Sequence, residues 1–396
     1  MAVSKEIFFV SSTVALVYSG MTLIFPVLPF YLEEFGGGAK EFGIAAAAFA
    51  LAVLIFSPLL GRLADRHGKV KMITFSLIGY ALTNFLYIFV SNYWHIIFLR
   101  FIEGLSTAGV APAGISIASD LSEEKNRARS IALVTAGISF GVIVGPLIGG
   151  TLILYYPLWF PFIISGIMGL IAAVVSRTMK EPTPEFTPDL SMETEHEAIE
   201  SRLKKILRQL PQPLSSFIVV LIIKMIVGVA WLLIEPGFVY YFYGLGYSSQ
   251  QFGIFVAIYG FFVFFGEIVL GGLSDKFGRK IIIVVGSVVY AGFYVYLAFV
   301  TPFVNLIIAA SIAGIALGLV GPALNALISE ISPPNMRTYV FGIATAFSGV
   351  AQVLGPLIGG WVVDGGFPVT QLSLVSSALV LFSAFLVYFV RFSDRL

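Results

Sequence analysis

Cysteine is absent from the 396 residues, which excludes disulfides, thiolate metal sites and thiol chemistry. Histidine occurs three times, as His67, His95 and His196, each in or beside a predicted loop. No nucleotide-binding loop or metal cluster accompanies them, so an enzyme is not expected, and neither is a cofactor or a metal. Charge is the next scarcity. Only 11% of residues are Asp, Glu, Lys or Arg, against about 25% in an ordinary soluble domain. The net charge of +1 gives no sign of nucleic-acid binding.

What fills the chain instead is apolar: 58% hydrophobic residues and a mean hydropathy of +0.96. A soluble fold of this length could not hide so much apolar surface, whereas a membrane helix needs about 20 such residues to cross the hydrocarbon core. Ile7 to Leu32 carries no charge, and Ser130 to Ser176 and Ile281 to Ser329 are each long enough for two spans with a turn between. The turns are Tyr155-Tyr156-Pro157 and Thr301-Pro302. Twelve spans are predicted, starting near residues 7, 41, 71, 95, 128, 158, 214, 251, 281, 304, 338 and 370. The first run is too long for the core of a cleavable signal peptide and is read as retained.

Short cytoplasmic loops are enriched in Lys and Arg. With both termini in the cytoplasm, twenty of the 23 basic residues fall inside, Lys40 alone lies outside, and Arg100 and Lys224 lie within spans. The expected location is the cell (plasma) membrane, multi-pass, with no sign of organelle targeting.

The sequence repeats itself at a constant offset of 210 residues. Pro26 matches Pro236, Tyr31 matches Tyr241, and Phe42-Gly43-Ile44 matches Phe252-Gly253-Ile254. Pro112-Ala113 matches Pro322-Ala323, Arg127 matches Arg337, and Gly145-Pro146-Leu147-Ile148-Gly149-Gly150 recurs unchanged at 355–360. Chance apolar similarity would not keep Gly, Pro and Arg in step across so many loops. The predicted fold is an all-α membrane protein of two pseudo-symmetric six-helix bundles. Six spans per copy give both copies the same orientation, hence parallel repeats around a central cavity. The expected division is 1–180, a cytoplasmic linker at 181–212 and 213–396. In the linker, Ile199, Leu203, Ile206, Leu207 and Leu210 share one helical face, with Arg202, Lys204, Lys205 and Arg208 elsewhere around it, as in a helix lying along the inner leaflet.

After span 2 stands Gly61-Arg62-Leu63-Ala64-Asp65-Arg66-His67-Gly68-Lys69, and its second copy runs from Gly271 through Asp275, Gly278 and Arg279 to Lys280. With these motifs the chain resembles the major facilitator superfamily, and within it the twelve-helix drug:proton antiporters, over nearly its whole length. The resemblance implies that the loop is a cytoplasmic gate. Its Asp would sit near the N-terminus of a helix in the other half, where a carboxylate is favoured by about 0.3–1 kcal/mol, and Arg66 and Lys69 would pair with nearby acids. The alternative is that these charges serve only topology and the tight turn at Gly68.

Span 4 carries Arg100-Phe101-Ile102-Glu103-Gly104, similar to the family's R-x-x-Q-G element, whose Arg is implicated in proton transfer; Glu103 stands where Gln is usual. A charge at the bilayer centre costs about 2.5–3.5 kcal/mol, so neither residue is expected to face lipid, and at i and i+3 they could neutralise each other as a local ion pair. Span 5 carries Gly137, Gly141, Gly145, Pro146, Gly149 and Gly150, resembling the element regarded as the mark of antiporters. Small residues every fourth position allow close helix approach and Pro146 permits a kink. The expectation is a bendable helix at the seam between halves; ordinary close packing is the alternative.

Proton-coupled exchange needs a group that is charged facing water and neutral when occluded, and buried carboxylates suit this. Glu103, Glu235 and Glu267 qualify. Glu235 precedes Pro236 in span 7, and its counterpart in the first copy is Phe25, which points to a function specific to one half. Lys224 lies eleven residues earlier, about 16 Å along the same face. The reading is that Glu235 binds the proton or cation and that Glu267 and Lys224 form a coupled pair; a structural salt bridge is the alternative. Many drug antiporters carry an acid in span 1, and this chain has none there. Aromatic runs at 238–243 and 261–265 suit a pocket for flat hydrophobic substrates or else face lipid; Tyr18, Asn84, Asn325 and Gln352 are candidate polar cavity residues. The expected function is proton-coupled export of small hydrophobic compounds by alternating access, acting as a monomer. The alternative is an importer or facilitator of a sugar or organic anion, with Lys224 and Arg100 binding the anion.

Overall fold

The computed structural model describes residues 5–123, 126–181, 214–332 and 337–390, and within them every regular element is a helix. Eleven helices are long and apolar enough to cross a membrane, and Phe160–Ser176, at 17 residues, supplies the twelfth span. The expected amphipathic linker helix lies outside the described residues, of which Glu181 is the last before the gap.

The first bundle comprises span 1 (Lys5–Leu23 and Leu28–Glu34), span 2 (Ala39–His67), span 3 (Lys69–Leu86), span 4 (Tyr93–Thr107 and Val110–Asp120), span 5 (Arg127–Leu152) and span 6 (Phe160–Ser176). The second comprises span 7 (Leu214–Gly244), span 8 (Ser249–Phe265, extended through Gly266–Leu270 and Leu273–Phe277), span 9 (Arg279–Phe299), span 10 (Phe303–Ile331), span 11 (Arg337–Asp364) and span 12 (Val369–Tyr388). Packing repeats with the sequence. Span 1 lies on span 5 as span 7 lies on span 11, and spans 2 and 4 pack as spans 8 and 10 do. Spans 3 and 6 are matched by spans 9 and 12. The bundles meet where span 2 packs on span 11 and span 5 on span 8.

Local chemistry sets the element boundaries. Spans 2 and 3 turn on Gly68 alone, at φ 106, and spans 8 and 9 on Gly278, at φ 90, a backbone region costly for any residue with a Cβ. Ser248 and Gln251 form a capping box that starts span 8. Span 1 breaks after Leu23, but its counterpart span 7 runs unbroken past Pro236. The difference is a second proline: Pro29 adds to Pro26 in the first copy, and Val239 stands in its place in the second. Two missing amide donors within four residues are more than the helix ladder tolerates, whereas one is absorbed.

The two halves are pressed together at the end away from the signature loops. There the offset of 210 appears as geometry. Gly43 lies against the carbonyl of Pro356 as Gly253 lies against that of Pro146, and Gly360 faces the Ala39 carbonyl as Gly150 faces that of Ser249. At the signature-loop end, a Cβ on Gly61 or Gly342 would meet no neighbouring element within 4 Å among the described residues.

Candidate substrate cavity and charged groups

Between the halves lies a cavity of about 310 Å³. Spans 1, 2, 4, 5, 7, 8 and 11 all contribute to it. Its rings come from four spans, one each from spans 1 and 7 and two each from spans 2 and 8: Phe25, Trp231, Phe42, Phe49, Phe255 and Tyr259. Trp231 stacks on Tyr259 with centroids 5.7 Å apart. Among the residues lining it, Arg100 and Glu235 are the charged ones, and Gln352 and Thr22 add neutral polar groups.

Glu235 retains 8% exposure. Among the described residues its carboxylate has no hydrogen-bond or ion-pair partner, although Arg100 acts on it electrostatically. Phe25, its positional counterpart, lines the same cavity and stacks on Phe252. The pseudo-symmetric pair therefore places a carboxylate and an apolar ring in one chamber.

Arg100 donates from Nη1 to Glu103 Oε2 at 2.8 Å and packs its guanidinium over the Phe49 ring at 4.5 Å. Glu103 is sealed from solvent, at 0% exposure against 14% for Arg100. The Tyr87 hydroxyl donates to the same oxygen at 3.3 Å, and Glu103 Oε1 and Arg100 Nε are buried without partners. The expected local ion pair thus forms, with the guanidinium between the cavity and the hidden carboxylate.

Lys224 and Glu267 are placed elsewhere. Lys224 donates to Asn325 Oδ1 at 3.0 Å, and the expected ion pair with Glu267 is not formed. Glu267 sits in a π-helical turn, Gly266–Leu270, where Gly266 and Gly318 bring spans 8 and 10 together, and its side chain is exposed. Neither residue lines the central cavity.

Span 5 packs on span 8 of the other half, but most of its glycine stripe faces span 1. Gly137, Gly141, Gly145 and Gly149 face Ser11, Tyr18, Thr22 and Leu23 of span 1, within one bundle. A Cβ at Gly141 would meet the Tyr18 side chain at 2.6 Å. The seam with the other half is formed by an adjacent edge of the helix: Val142 against Gly260, Pro146 against Gly253, and Gly150 against Ser249, whose hydroxyl donates to the Gly150 carbonyl at 2.8 Å. A spacing of four defines a stripe but not which neighbour it meets.

The signature loops close on their own bundles. Lys69 Nζ reaches Asp120 at 2.6 Å, Ser116 at 2.6 Å and Asp65 at 3.7 Å. In the second copy Arg279 binds Glu330 at 2.8 Å and also pairs with Asp275. Asp65 and Asp275 are 70% and 65% exposed, and neither makes the cross-half contact implied by the family among the described residues. Glu181 adds a third acid: its carboxylate accepts from the Lys69 amide at 2.5 Å and the Val70 amide at 3.2 Å, capping span 3. The sequence reading missed Asp120, Glu330 and Glu181, although the offset of 210 between the first two could have revealed them.

At the far end the seal includes Tyr243, which donates to the Pro26 carbonyl at 3.0 Å and whose ring lies 4.2 Å from that of Phe30. Lys40 lies over the Trp361 ring at 4.3 Å. The aromatic run at 238–243 serves this seal and the second bundle's core, in which Phe238 and Phe242 are buried. In the other run Phe261 and Phe265 are exposed. Of the neutral polar candidates, Gln352 lines the cavity, Asn84 is buried and donates to the Tyr80 carbonyl, and Asn325 serves Lys224.

Two six-helix bundles thus share one cavity and are pressed together at one end of it. The sequence profile of the Major Facilitator Superfamily matches residues 10–242 and 220–395, and the chain belongs to that family. Among known relatives, the quinolone resistance protein NorA of Staphylococcus aureus is 32% identical over 136 residues, 34% of this chain. That match spans about a third of the relative's length (35%). The multi-drug resistance efflux pump PmrA homolog of Lactococcus lactis subsp. lactis is 28% identical over 386 residues, 96% of this chain and 92% of its own. The chain thus resembles drug:proton antiporters within the family. In fold it is similar to a bacterial homolog of the human lysosomal transporter Spinster in an inward-facing, occupied conformation. The TM-score is 0.78 at 16% identity, covering 98% of each chain.

Proposed function

We propose that the chain is a secondary active exporter of small hydrophobic compounds, driven by inward proton flow, in which Glu235 carries the coupling proton. The observation that supports this reading most is the position of Glu235: a carboxylate on the cavity wall, beside aromatic rings, with no ion-pair partner among the described residues. A bare charge held in apolar surroundings costs several kcal/mol. Binding a proton or a cationic substrate relieves that cost in either case, so the two compete for one site, and that competition couples their opposite movements. The efflux-pump relatives agree with this direction of transport.

With both termini in the cytoplasm of a plasma-membrane protein, the end sealed by Tyr243 is the outer one and the conformation is inward-facing. In the other state the signature loops meet across the halves and the Tyr243 seal parts. An anion importer is less well supported, because the cavity's guanidinium is already paired with Glu103.

The test is transport in proteoliposomes with an imposed pH gradient. Wild-type protein is expected to move hydrophobic dyes against proton flow, and Glu235→Gln to insert normally but lose gradient-driven transport. Wild-type rates in that variant would remove Glu235 from the role. Gradient-independent equilibration of a sugar by the wild type would replace the exporter reading altogether.

A further inference from the structure

The cavity holds two charged side chains of opposite sign, and its neutrality would follow if both acted on a substrate alike. They are not alike. Arg100 is bonded on its hidden side to Glu103, whereas Glu235 has no such partner. The three charges in and behind the wall therefore sum to one negative charge, and it is the carboxylate of Glu235 that faces the chamber. Nothing in the geometry of the Arg100 contact requires a charge at position 103. A Gln there could accept the same hydrogen bond from Nη1 but would leave the guanidinium without a counterion. The negative charge of Glu103 offsets that of Arg100, and its effect is felt through the guanidinium, inside the cavity.

We infer that Glu103 sets the charge preference of the cavity: by neutralising Arg100 from behind, it makes the chamber a site for flat aromatic monocations and excludes anions of the same shape. The inference builds on the exporter reading only in taking this cavity as the substrate site. Six rings line the chamber, and ring faces attract cations as well as flat apolar bodies. Its volume of about 310 Å³ suits a molecule of three or four fused rings.

Two fluorescent probes of similar flat tricyclic shape and opposite charge test this in purified full-length protein: proflavine, a monocation, and anthracene-2-carboxylate, a monoanion. Wild type is expected to bind proflavine at least tenfold more tightly. Glu103→Gln keeps the shape and the hydrogen bond but frees the charge of Arg100. It is expected to weaken proflavine binding about tenfold, the order set by one unit charge about 12 Å away at an effective dielectric of about 20, and to strengthen anthracene-2-carboxylate binding. Adding Arg100→Gln to that variant restores the net negative charge and should recover the preference for proflavine, which repair of a merely structural defect would not do.

A Glu103→Gln protein that elutes as a single species and keeps the wild-type preference overturns the inference and leaves proton-driven export standing. A wild type that prefers anthracene-2-carboxylate also overturns it. Export itself is judged separately, by gradient-driven transport with and without Glu235.

Discussion

Tyr243 of the second half donates its hydroxyl to the carbonyl of Pro26 in the first, 3.0 Å away. The acceptor lies where span 1 is broken, between prolines 26 and 29, so the break that disrupts one helix supplies a carbonyl to which the other half can bond. Tyr240 reaches toward the Pro29 carbonyl at 3.5 Å in the same way.

This bond should hold the far end shut. Tyr243→Phe removes one hydrogen bond, worth about 0.5–1.5 kcal/mol, and is expected to shift the population toward the state open at that end by about three- to tenfold. The natural absence of cysteine makes the measurement direct. A single cysteine at cavity position Gln352 should react faster with a membrane-impermeant maleimide applied from that side when Tyr243 is Phe.

The close approach of Gly43 to the Pro356 carbonyl leaves no room for a methyl group. Gly43→Ala should force spans 2 and 11 apart and destabilise the closed end by about 1–3 kcal/mol, the usual cost of overpacking. Gly342→Ala meets open space in this conformation and should leave the melting temperature unchanged. The two variants are compared by thermal shift in detergent.

Glu181 caps span 3 through two backbone amides. Glu181→Ala leaves these donors without their anionic acceptor and should cost about 1–2 kcal/mol, read as a melting temperature lowered by a few degrees. Glu181→Gln, which keeps an acceptor but not the charge, should fall between that variant and wild type.

Asp65 and Asp275 are largely exposed and, among the described residues, pair with bases four residues away. Such pairs are worth about 0.3–0.5 kcal/mol. Replacing both with Asn should barely alter thermal stability, yet slow transport severalfold if the loops latch across the halves in the other state. Unchanged transport rates in proteoliposomes would confine these aspartates to topology.

Much of the fold was legible because its signals are local or repeated. Charge-free runs mark spans without regard to neighbours, and the offset of 210 predicted a pseudo-symmetry that reappears in the paired contacts of Gly43 with Pro356 and Gly253 with Pro146. The site was legible only in part. Glu235 was singled out because its symmetry mate is Phe25, and both line the cavity. Lys224 and Glu267 were joined on helical spacing and depth, yet Lys224 bonds Asn325 instead. The aromatic runs drew notice because they are contiguous, whereas the cavity takes isolated rings from several helices, such as Phe49 and Trp231.

The sequence by itself determined that this chain crosses a membrane, that it is a doubled six-helix unit, and where its charges are scarce enough to matter. Only the tertiary structure decided which side of each helix faces a cavity, a sister helix or lipid. A helix apolar all round carries little phase information in its sequence. Its rotation is fixed by which neighbours its small residues admit, as when the span 5 glycines meet span 1 and leave Pro146 and Gly150 to the other half.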